Sequence, residues 1–290
     1  MIVGELTWQQ FKSLDSIRNL NENQQIEHYY KYLVELNDWI SHQNKGRLIP
    51  QVITCVDGMD VVFLVDYTGS MGDAINAIKA VIASIVSTIV AESGNNYRLG
   101  LVLFDEYNPN SEPQARYETG SAYVALPTSQ KYTNLYNPEG TTSDRKQYIT
   151  AMEVFSQNNE STFTTQLNEI NTSTFALGYG VNGPEPADMG IDRIVNHDIA
   201  GVFRDNVSKL VILITDQPSS GDDDINNATD VAFAQTLITD CNAKDIKVLL
   251  MKSNAGSKEP LETLALGTGG LVADSFTPEA IITSIENICA

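Results

Sequence analysis

The chain has 290 residues, and 42% of them are hydrophobic, which is enough for one large domain with a substantial core and a smaller appended segment. Its 18 basic and 37 acidic residues give a formal net charge of −19, which disfavours binding to the phosphate backbone of nucleic acids. The sequence does not begin with a basic segment followed by an apolar stretch, and it contains no run of 18 apolar residues. We therefore predict no signal peptide and no membrane span, and a cytoplasmic location unless the protein is part of a larger particle.

The first fifty residues are predicted to form a helical extension. The spacing of their apolar residues favours helices over residues 6–14 and 25–41. The longer helix carries an apolar stripe, made of Ile26, Tyr29, Tyr30, Leu33, Leu36 and Ile40. Because such a stripe needs a partner, we assign residues 1–50 to anchoring or oligomerisation and residues 51–290 to the main domain.

Strand and helix patterns alternate along the main domain. Strand patterns cover residues 59–66, 98–105, 209–216 and 246–251. Helix patterns cover residues 72–92, 160–171, 187–196, 228–243 and 261–266. This order predicts an α/β fold, with a doubly wound, mostly parallel sheet flanked by helices. Residues 106–150 are less regular and rich in tyrosine, which suits either a binding loop or a cover for the sheet edge.

Three loops place carboxylates at one edge of the predicted sheet. The first strand ends in Asp66, and the hydroxyls of Thr68 and Ser70 follow at alternate positions. Glu185 lies in a loop rich in Gly and Pro, and Asp216 ends another strand. Ligand crevices of such sheets lie outside the carboxyl ends of the strands, and Mg²⁺ prefers oxygen ligands. The pattern favours a metal site, although the same residue types are also common in turns and helix caps.

The Asp66-x-Thr68-x-Ser70 motif and the order of elements over residues 57–289 resemble the von Willebrand factor A family. Members of that family carry a metal-ion-dependent adhesion site at this edge of the sheet. Thr68 stands where the family more often has Ser, and Asp216 matches the acid that ends its fourth strand. Residues 269–273 resemble the final strand of A domains, and residues 278–289 resemble their closing helix. The resemblance implies the same fold and a bound Mg²⁺, with Mn²⁺ or Ca²⁺ as alternatives.

The middle loop departs from the common version of the family, which supplies a Thr there. Gly183-Pro184-Glu185 is similar instead to the loop of the integrin β I-like domain and to a Pro-Glu motif of some bacterial A domains. The resemblance implies direct metal ligands at Thr68, Ser70 and Glu185, and ligands that act largely through water at Asp66 and Asp216.

Three further residues are candidates for a secondary metal: Asp73, Asn182 and Asp105. Ala74 stands where the integrin pattern has a second acid, and Asn182 replaces another acid of that pattern, so we expect one strong site. The run Asp222-Asp223-Asp224 follows the Asp216 loop and is either a second cation site or, as is usual for charge runs, a solvated turn.

The remaining chemistry-bearing residues are scattered. The three cysteines show no metal-like spacing, and we predict unbridged thiols in a reducing compartment for Cys55, Cys241 and Cys289. The histidines suggest neither a triad nor a zinc site: they are His28, His42 and His197. Since a Gly-rich phosphate loop is also missing from the sequence, we predict that the protein is not an enzyme.

The sequence thus predicts a metal-dependent adhesion or protein-binding module, in which an acidic residue of a partner protein completes the coordination of Mg²⁺. Two other roles stay open. One is a structural component of a virion or similar particle, whose other subunits contact residues 1–50. Residues 29–33 and 43–46 faintly resemble amino-terminal segments of tailed-phage structural proteins. The other is an accessory subunit of an ATPase complex.

Overall fold

The computed structural model describes residues 55–106, 133–136, 146–172, 184–221, 225–252, 256–275 and 278–289, together with scattered positions between residues 11 and 32. The chain divides into two units, Met1–Val52 and Ile53–Ala290. In the first unit the rings of Phe11 and Tyr32 pack with 5.3 Å between their centroids. Several predicted features lie outside the described residues. Asn182 and Asp222-Asp223-Asp224 lie wholly outside them, and so do most of the predicted helix over residues 25–41 and most of the tyrosine-rich segment.

The second unit is built on a seven-stranded sheet with the order β3-β4-β2-β1-β5-β6-β7. The strands are β1 (Met59–Asp66), β2 (Tyr97–Glu106), β3 (Thr133–Tyr136), β4 (Lys146–Glu153), β5 (Ser208–Thr215), β6 (Ile246–Lys252) and β7 (Leu271–Ala273). β1 pairs in parallel with both β2 and β5, and β6 and β7 continue the parallel arrangement. β3 and β4 add an antiparallel edge. The predicted doubly wound, mostly parallel α/β sheet is therefore confirmed.

Helices cover both faces of the sheet. They are α1 (Gly72–Glu92), α2 (Glu160–Glu169), α3 (Ala187–Val195), α4 (Ala228–Ala243), α5 (Leu261–Gly267) and α6 (Pro278–Cys289). Side chains of α1, α2 and α6 share one core with Val61, Phe63 and Val65 of β1. Side chains of α3, α4 and α5 share the other core with Val62 and Leu64. Alternate side chains of β1 point to opposite faces of the sheet, so its one continuous apolar run contributes to both cores, as expected for a buried parallel strand.

One stretch in the described part of the chain, Gly69–Glu92, is long and apolar enough to cross a membrane by length and composition. Its isoleucines recur at helical spacing and are buried against the sheet; they are Ile75, Ile78, Ile82, Ile85 and Ile89. The apolar composition of this segment is accounted for by its place in the core.

Two strands, β3 and β4, occur within or at the end of residues 106–150, where the sequence shows no regular pattern. β4 reads Lys-Gln-Tyr-Ile-Thr-Ala-Met-Glu, and its polar residues hide the strand pattern. β4 pairs antiparallel with β2 on one side and with the short β3 on the other. Antiparallel strands tolerate such mixed composition better than buried parallel strands do.

A buried charge cluster joins elements at the amino-terminal edge of the sheet. Asp60 of β1 is fully buried and accepts hydrogen bonds from Nε of Arg98 and Nε of Arg204, each at 2.9 Å. The Arg98 guanidinium also lies 4.6 Å from the centroid of the Phe155 ring. Burial alone raises the pKa of Asp60, but the hydrogen bonds from Arg98 and Arg204 outweigh it and hold the pKa below its ordinary value.

The cysteine prediction is wrong for two of the three residues. Cys55 and Cys289 form a disulfide, with 5.2 Å between their Cα atoms and a sequence separation of 234. Cys241 is a free, buried thiol. Cys55 precedes β1 and Cys289 ends α6, and only the packing of α6 beside the first elements brings them together.

Candidate metal centre

The site begins at the carboxyl end of β1, where Asp66 is fully buried. Its Oδ1 accepts hydrogen bonds from the backbone N–H of Thr68 at 2.9 Å and from Oγ1 of Thr68 at 2.6 Å. Its Oδ2 accepts a hydrogen bond from Oγ1 of Thr215, the last residue of β5, at 2.8 Å. The Asp66 carboxylate therefore ties the ends of two adjacent strands together.

The electrostatics of Asp66 favour a nearby cation. Burial raises the pKa of Asp66 to about 7, the hydrogen bonds from Thr68 and Thr215 oppose that rise, and the negative charge of Asp216 adds to it. A divalent cation would reverse this balance, because its charge stabilises the ionised carboxylate.

The two hydroxyls of the motif lie beside this carboxylate. Thr68 is 2% exposed, and its Oγ1 is 3.3 Å from Oγ of the exposed Ser70. Ser70 lies in a short 3₁₀ turn, Gly69–Met71, that leads directly into α1. The structure thus brings the oxygens of Asp66, Thr68 and Ser70 together at one point of the sheet edge.

Backbone pairing attaches the Glu185 loop to the segment that follows Asp216. Glu185 is 2% exposed and forms a parallel bridge with Ser219. Its N–H donates to the carbonyl of Pro218 at 2.9 Å, and its carbonyl accepts from the N–H of Ser220 at 3.0 Å. Glu185 and the Asp216 loop, 31 positions apart in the numbering, therefore share one short stretch of extended structure.

α3, which follows Glu185, packs closely on β1. A Cβ atom at Gly190 would lie 2.9 Å from Cδ1 of Leu64, so any larger residue would require the Leu64 side chain to shift. The close packing fixes the start of α3, and with it the Glu185 loop, next to the end of β1.

Buried oxygens without a hydrogen-bond partner among the described residues occur at this edge, and they include Oδ1 of Asp216 and Oγ of Ser219. Leaving a buried polar atom unsatisfied costs about 1–3 kcal/mol, so each such atom in a folded protein requires an explanation such as an ion or an ordered water. Together with Asp66, Thr68 and Ser70, Asp216 supplies hard oxygen ligands of the kind that Mg²⁺ prefers.

Within the described ranges, no group of three or more His, Cys, Asp or Glu side chains is arranged to hold a metal ion. A cation at this edge would therefore depend on hydroxyl oxygens and water as well as carboxylates, which suits Mg²⁺ because it usually retains several waters. Of the secondary candidates, Asp73 is an exposed residue in the first turn of α1. The backbone of Asp105 pairs with Tyr148, while its side chain and Asn182 lie outside the description.

Asp188 is a further buried carboxylate that the sequence patterns did not predict. Its Oδ1 accepts from the N–H of Met189 at 2.9 Å and from the N–H of Gly221 at 3.2 Å, so it links the start of α3 to the loop after Asp216. Its Oδ2 is buried and has no hydrogen-bond partner among the described residues. Burial, together with the negative charge of Asp230, raises the pKa of Asp188 to about 7. In the sequence, Asp188 resembles any acid in the first turn of a helix.

We expect Asp188→Asn to stabilise the protein at alkaline pH. The pKa of Asp188 is about 7 when folded against an ordinary value of 3.8, so the folded state holds this proton more tightly, and the free energy of unfolding falls as pH rises from about 4 to 7. Such a difference corresponds to at most about 4 kcal/mol. Asn keeps the acceptor oxygen without the charge, and we expect a gain of about 2 kcal/mol at pH 8 and little gain at pH 4.

Urea unfolding at both pH values, with chelator present, measures this effect. Asp205→Asn removes an exposed acid and is the matched control, with a change below about 0.5 kcal/mol. Equal destabilisation of Asp188→Asn at both pH values would contradict the expectation.

Comparisons with known proteins give little additional information. No protein-family model matches the chain, and neither does any curated protein. A solved structure that matches is that of proximal thread matrix protein 1 from the mussel byssus, with 14% sequence identity and a TM-score of 0.46. The match covers 80% of this chain and 47% of that one, so the chain spans about half the length of the byssus protein. Similarity at this level does not carry a function from one protein to another.

Proposed function

We propose that the protein is a non-enzymatic binding module that holds Mg²⁺ at the carboxyl edge of its sheet and uses the ion to bind an acidic residue of a partner protein. The observation that carries this proposal is the cluster of buried oxygens around Asp66. Its carboxylate has a raised pKa, hydroxyls lie directly beside it, and Oδ1 of Asp216 is buried without a hydrogen-bond partner among the described residues. A hard cation would stabilise the ionised form of Asp66 and would take the adjacent hydroxyls and the unpartnered carboxylate oxygen of Asp216 as ligands or hydrogen-bond partners of its bound waters.

The chain's own residues have distinct roles in this proposal. Thr68, Ser70 and Glu185 bind the ion directly, and Asp66 and Asp216 act largely through water, as the family resemblance implies. Asp66 also orients Thr68, because it accepts hydrogen bonds from both the backbone and the hydroxyl of that residue. Mn²⁺ and Ca²⁺ are the other ions that this set of oxygens accommodates.

The cation explains how a partner carboxylate can bind here. The chain carries a net charge of −19, and the edge of the sheet already holds the carboxylates of Asp66 and Asp216. A further carboxylate would be repelled, whereas the charge of a bound divalent ion offsets both the repulsion and the loss of solvent. The partner we propose is therefore a protein with an exposed Asp or Glu.

The disulfide favours a second role, that of a component of a virion or similar particle. Disulfides persist on extracellular and virion surfaces and are rare in a reducing cytoplasm. The Cys55–Cys289 bond therefore favours the particle setting over the cytoplasmic one. A particle that displays this domain would combine both roles, with residues 1–50 as the proposed contact to other subunits.

Titration calorimetry of the full chain with Mg²⁺ and then Mn²⁺ tests the metal site. We expect saturable binding to the wild type and at least about tenfold weaker binding to Asp66→Ala and to Glu185→Gln. The exposed acid variant Asp205→Asn should bind as the wild type does. Circular dichroism must show that each variant is folded. Absence of saturable binding to a folded wild type would contradict the metal-dependent mechanism.

Binding of a carboxylate is tested separately on a resin that carries an aspartate-containing peptide. The wild type should be retained in Mg²⁺ and released by chelator, while Asp66→Ala should pass through. A resin with the matching asparagine peptide is the control. Equal retention on both resins would contradict recognition of a carboxylate, even if the metal binds.

A further inference from the structure

Ser219 carries a hydroxyl to which no described residue is hydrogen-bonded. The residue is fully buried, and its Oγ has no hydrogen-bond partner among the described residues. The backbone carbonyl of Ser219, in contrast, accepts a hydrogen bond from Nδ2 of Asn226 at 2.8 Å. An alanine would fill nearly the same space without leaving a buried polar atom unsatisfied, so stability alone does not explain a serine here.

The register of the chain makes Ser219 the backbone partner of a proposed metal ligand. Ser219 and Glu185 are partners in a parallel bridge, held by the hydrogen bonds of Glu185 to Pro218 and Ser220. Residues paired in this way carry their side chains on the same side of the extended segment, with Cβ atoms about 5 Å apart. A serine hydroxyl and a glutamate carboxylate at that separation can form a hydrogen bond.

We propose that Ser219 is a positioning residue of the metal centre, an inference that rests on the proposed function. Its O–H donates a hydrogen bond to the carboxylate of Glu185 when the cation is bound, and so fixes the oxygen that faces the metal. The carboxylates that bind metals are generally hydrogen-bonded in this way by a second group. The same hydroxyl also lies three positions after Asp216, so one short segment supplies both a ligand and the group that orients another ligand.

Mn²⁺ affinity and thermal stability of the Ser219→Ala variant together distinguish a positioning role from a purely structural one. In Ser219→Ala, the affinity for Mn²⁺ should fall by about tenfold, while thermal stability measured in chelator should stay the same or rise. Thr150→Val is the matched control: Thr150 of β4 is also fully buried, and its Oγ1 likewise has no hydrogen-bond partner among the described residues, but β2 separates its strand from β1. Thr150→Val should leave the Mn²⁺ affinity within about twofold of wild type.

A double-mutant cycle then tests the route through Glu185. In the Glu185→Gln background, Ser219→Ala should cost less than about twofold in Mn²⁺ affinity, because the carboxylate that the hydroxyl orients is no longer there. An affinity of Ser219→Ala equal to wild type, or a full tenfold loss in the Glu185→Gln background, would overturn this inference alone. Absence of Mn²⁺ binding by the wild type would overturn the proposed function, and this inference with it.

Discussion

Replacing Asp60 with Ala is expected to lower the free energy of unfolding by about 3–5 kcal/mol, the range for removing one partner of a buried ion pair. Asp60 is fully buried in β1 and accepts from Arg98 of β2 and from Arg204 in the loop before β5. The backbone N–H of Arg204 also donates to Asp60 at 2.8 Å. Without the carboxylate, two guanidinium groups remain close together with no anion between them.

Urea unfolding at pH 7 measures this effect, and Asp205→Ala is the matched control. Asp205 follows Arg204 directly, and its replacement by Ala removes the same charge. Because the Asp205 side chain is exposed, we expect the free energy of unfolding to change by less than about 0.5 kcal/mol. The pKa of Asp60 is lowered on folding, so its contribution is present above its ordinary value of 3.8 and is lost as pH falls below that value. The difference between wild type and Asp60→Ala should therefore shrink near pH 2.

If Asp60→Ala lost no more unfolding free energy than Asp205→Ala, the result would contradict a structural role for the buried ion pairs of Asp60. It would mean that other acceptors already near the two arginines can replace Asp60. Those acceptors are the carbonyl of Val202 for Arg98, and Oδ1 of Asn96 for Arg204.

Removing the disulfide is expected to have an effect of similar size. The double variant Cys55→Ala/Cys289→Ala should lose about 3–5 kcal/mol of unfolding free energy, because a bond across 234 positions restricts the unfolded chain strongly. The bond also holds the end of α6 next to the start of β1. Urea unfolding of the oxidised wild type and the double variant measures the difference.

The control for this experiment is the reducing agent. Reduction should lower the stability of the wild type to that of the double variant and leave the double variant unchanged. Thiol titration in denaturant gives an independent check: we expect one reactive thiol, Cys241, before reduction and three after it. Three reactive thiols without reductant would contradict the bond.

Local patterns were enough to predict the centre of the fold and the first part of the candidate site. β1 is a continuous apolar run, and the isoleucines of α1 recur at helical spacing, so each element follows from its own residues. The hydrogen bonds of Asp66 with Thr68 span two positions and require only a tight turn after the strand. β3 and β4 could not be predicted in the same way, because mixed polar composition gives a weak strand pattern.

The sequence by itself therefore determined the alternation of strands and helices, and the motif that follows β1, because these depend on neighbours within one or two turns of chain. The tertiary structure alone decided which distant groups meet: Glu185 with Ser219, Asp60 with two arginines, and Cys55 with Cys289. It also decided that Asp188 is buried, which no local pattern reveals. The physical reason is that burial and pairing across strands depend on packing between elements far apart in the chain, whereas propensity and periodicity act only along it.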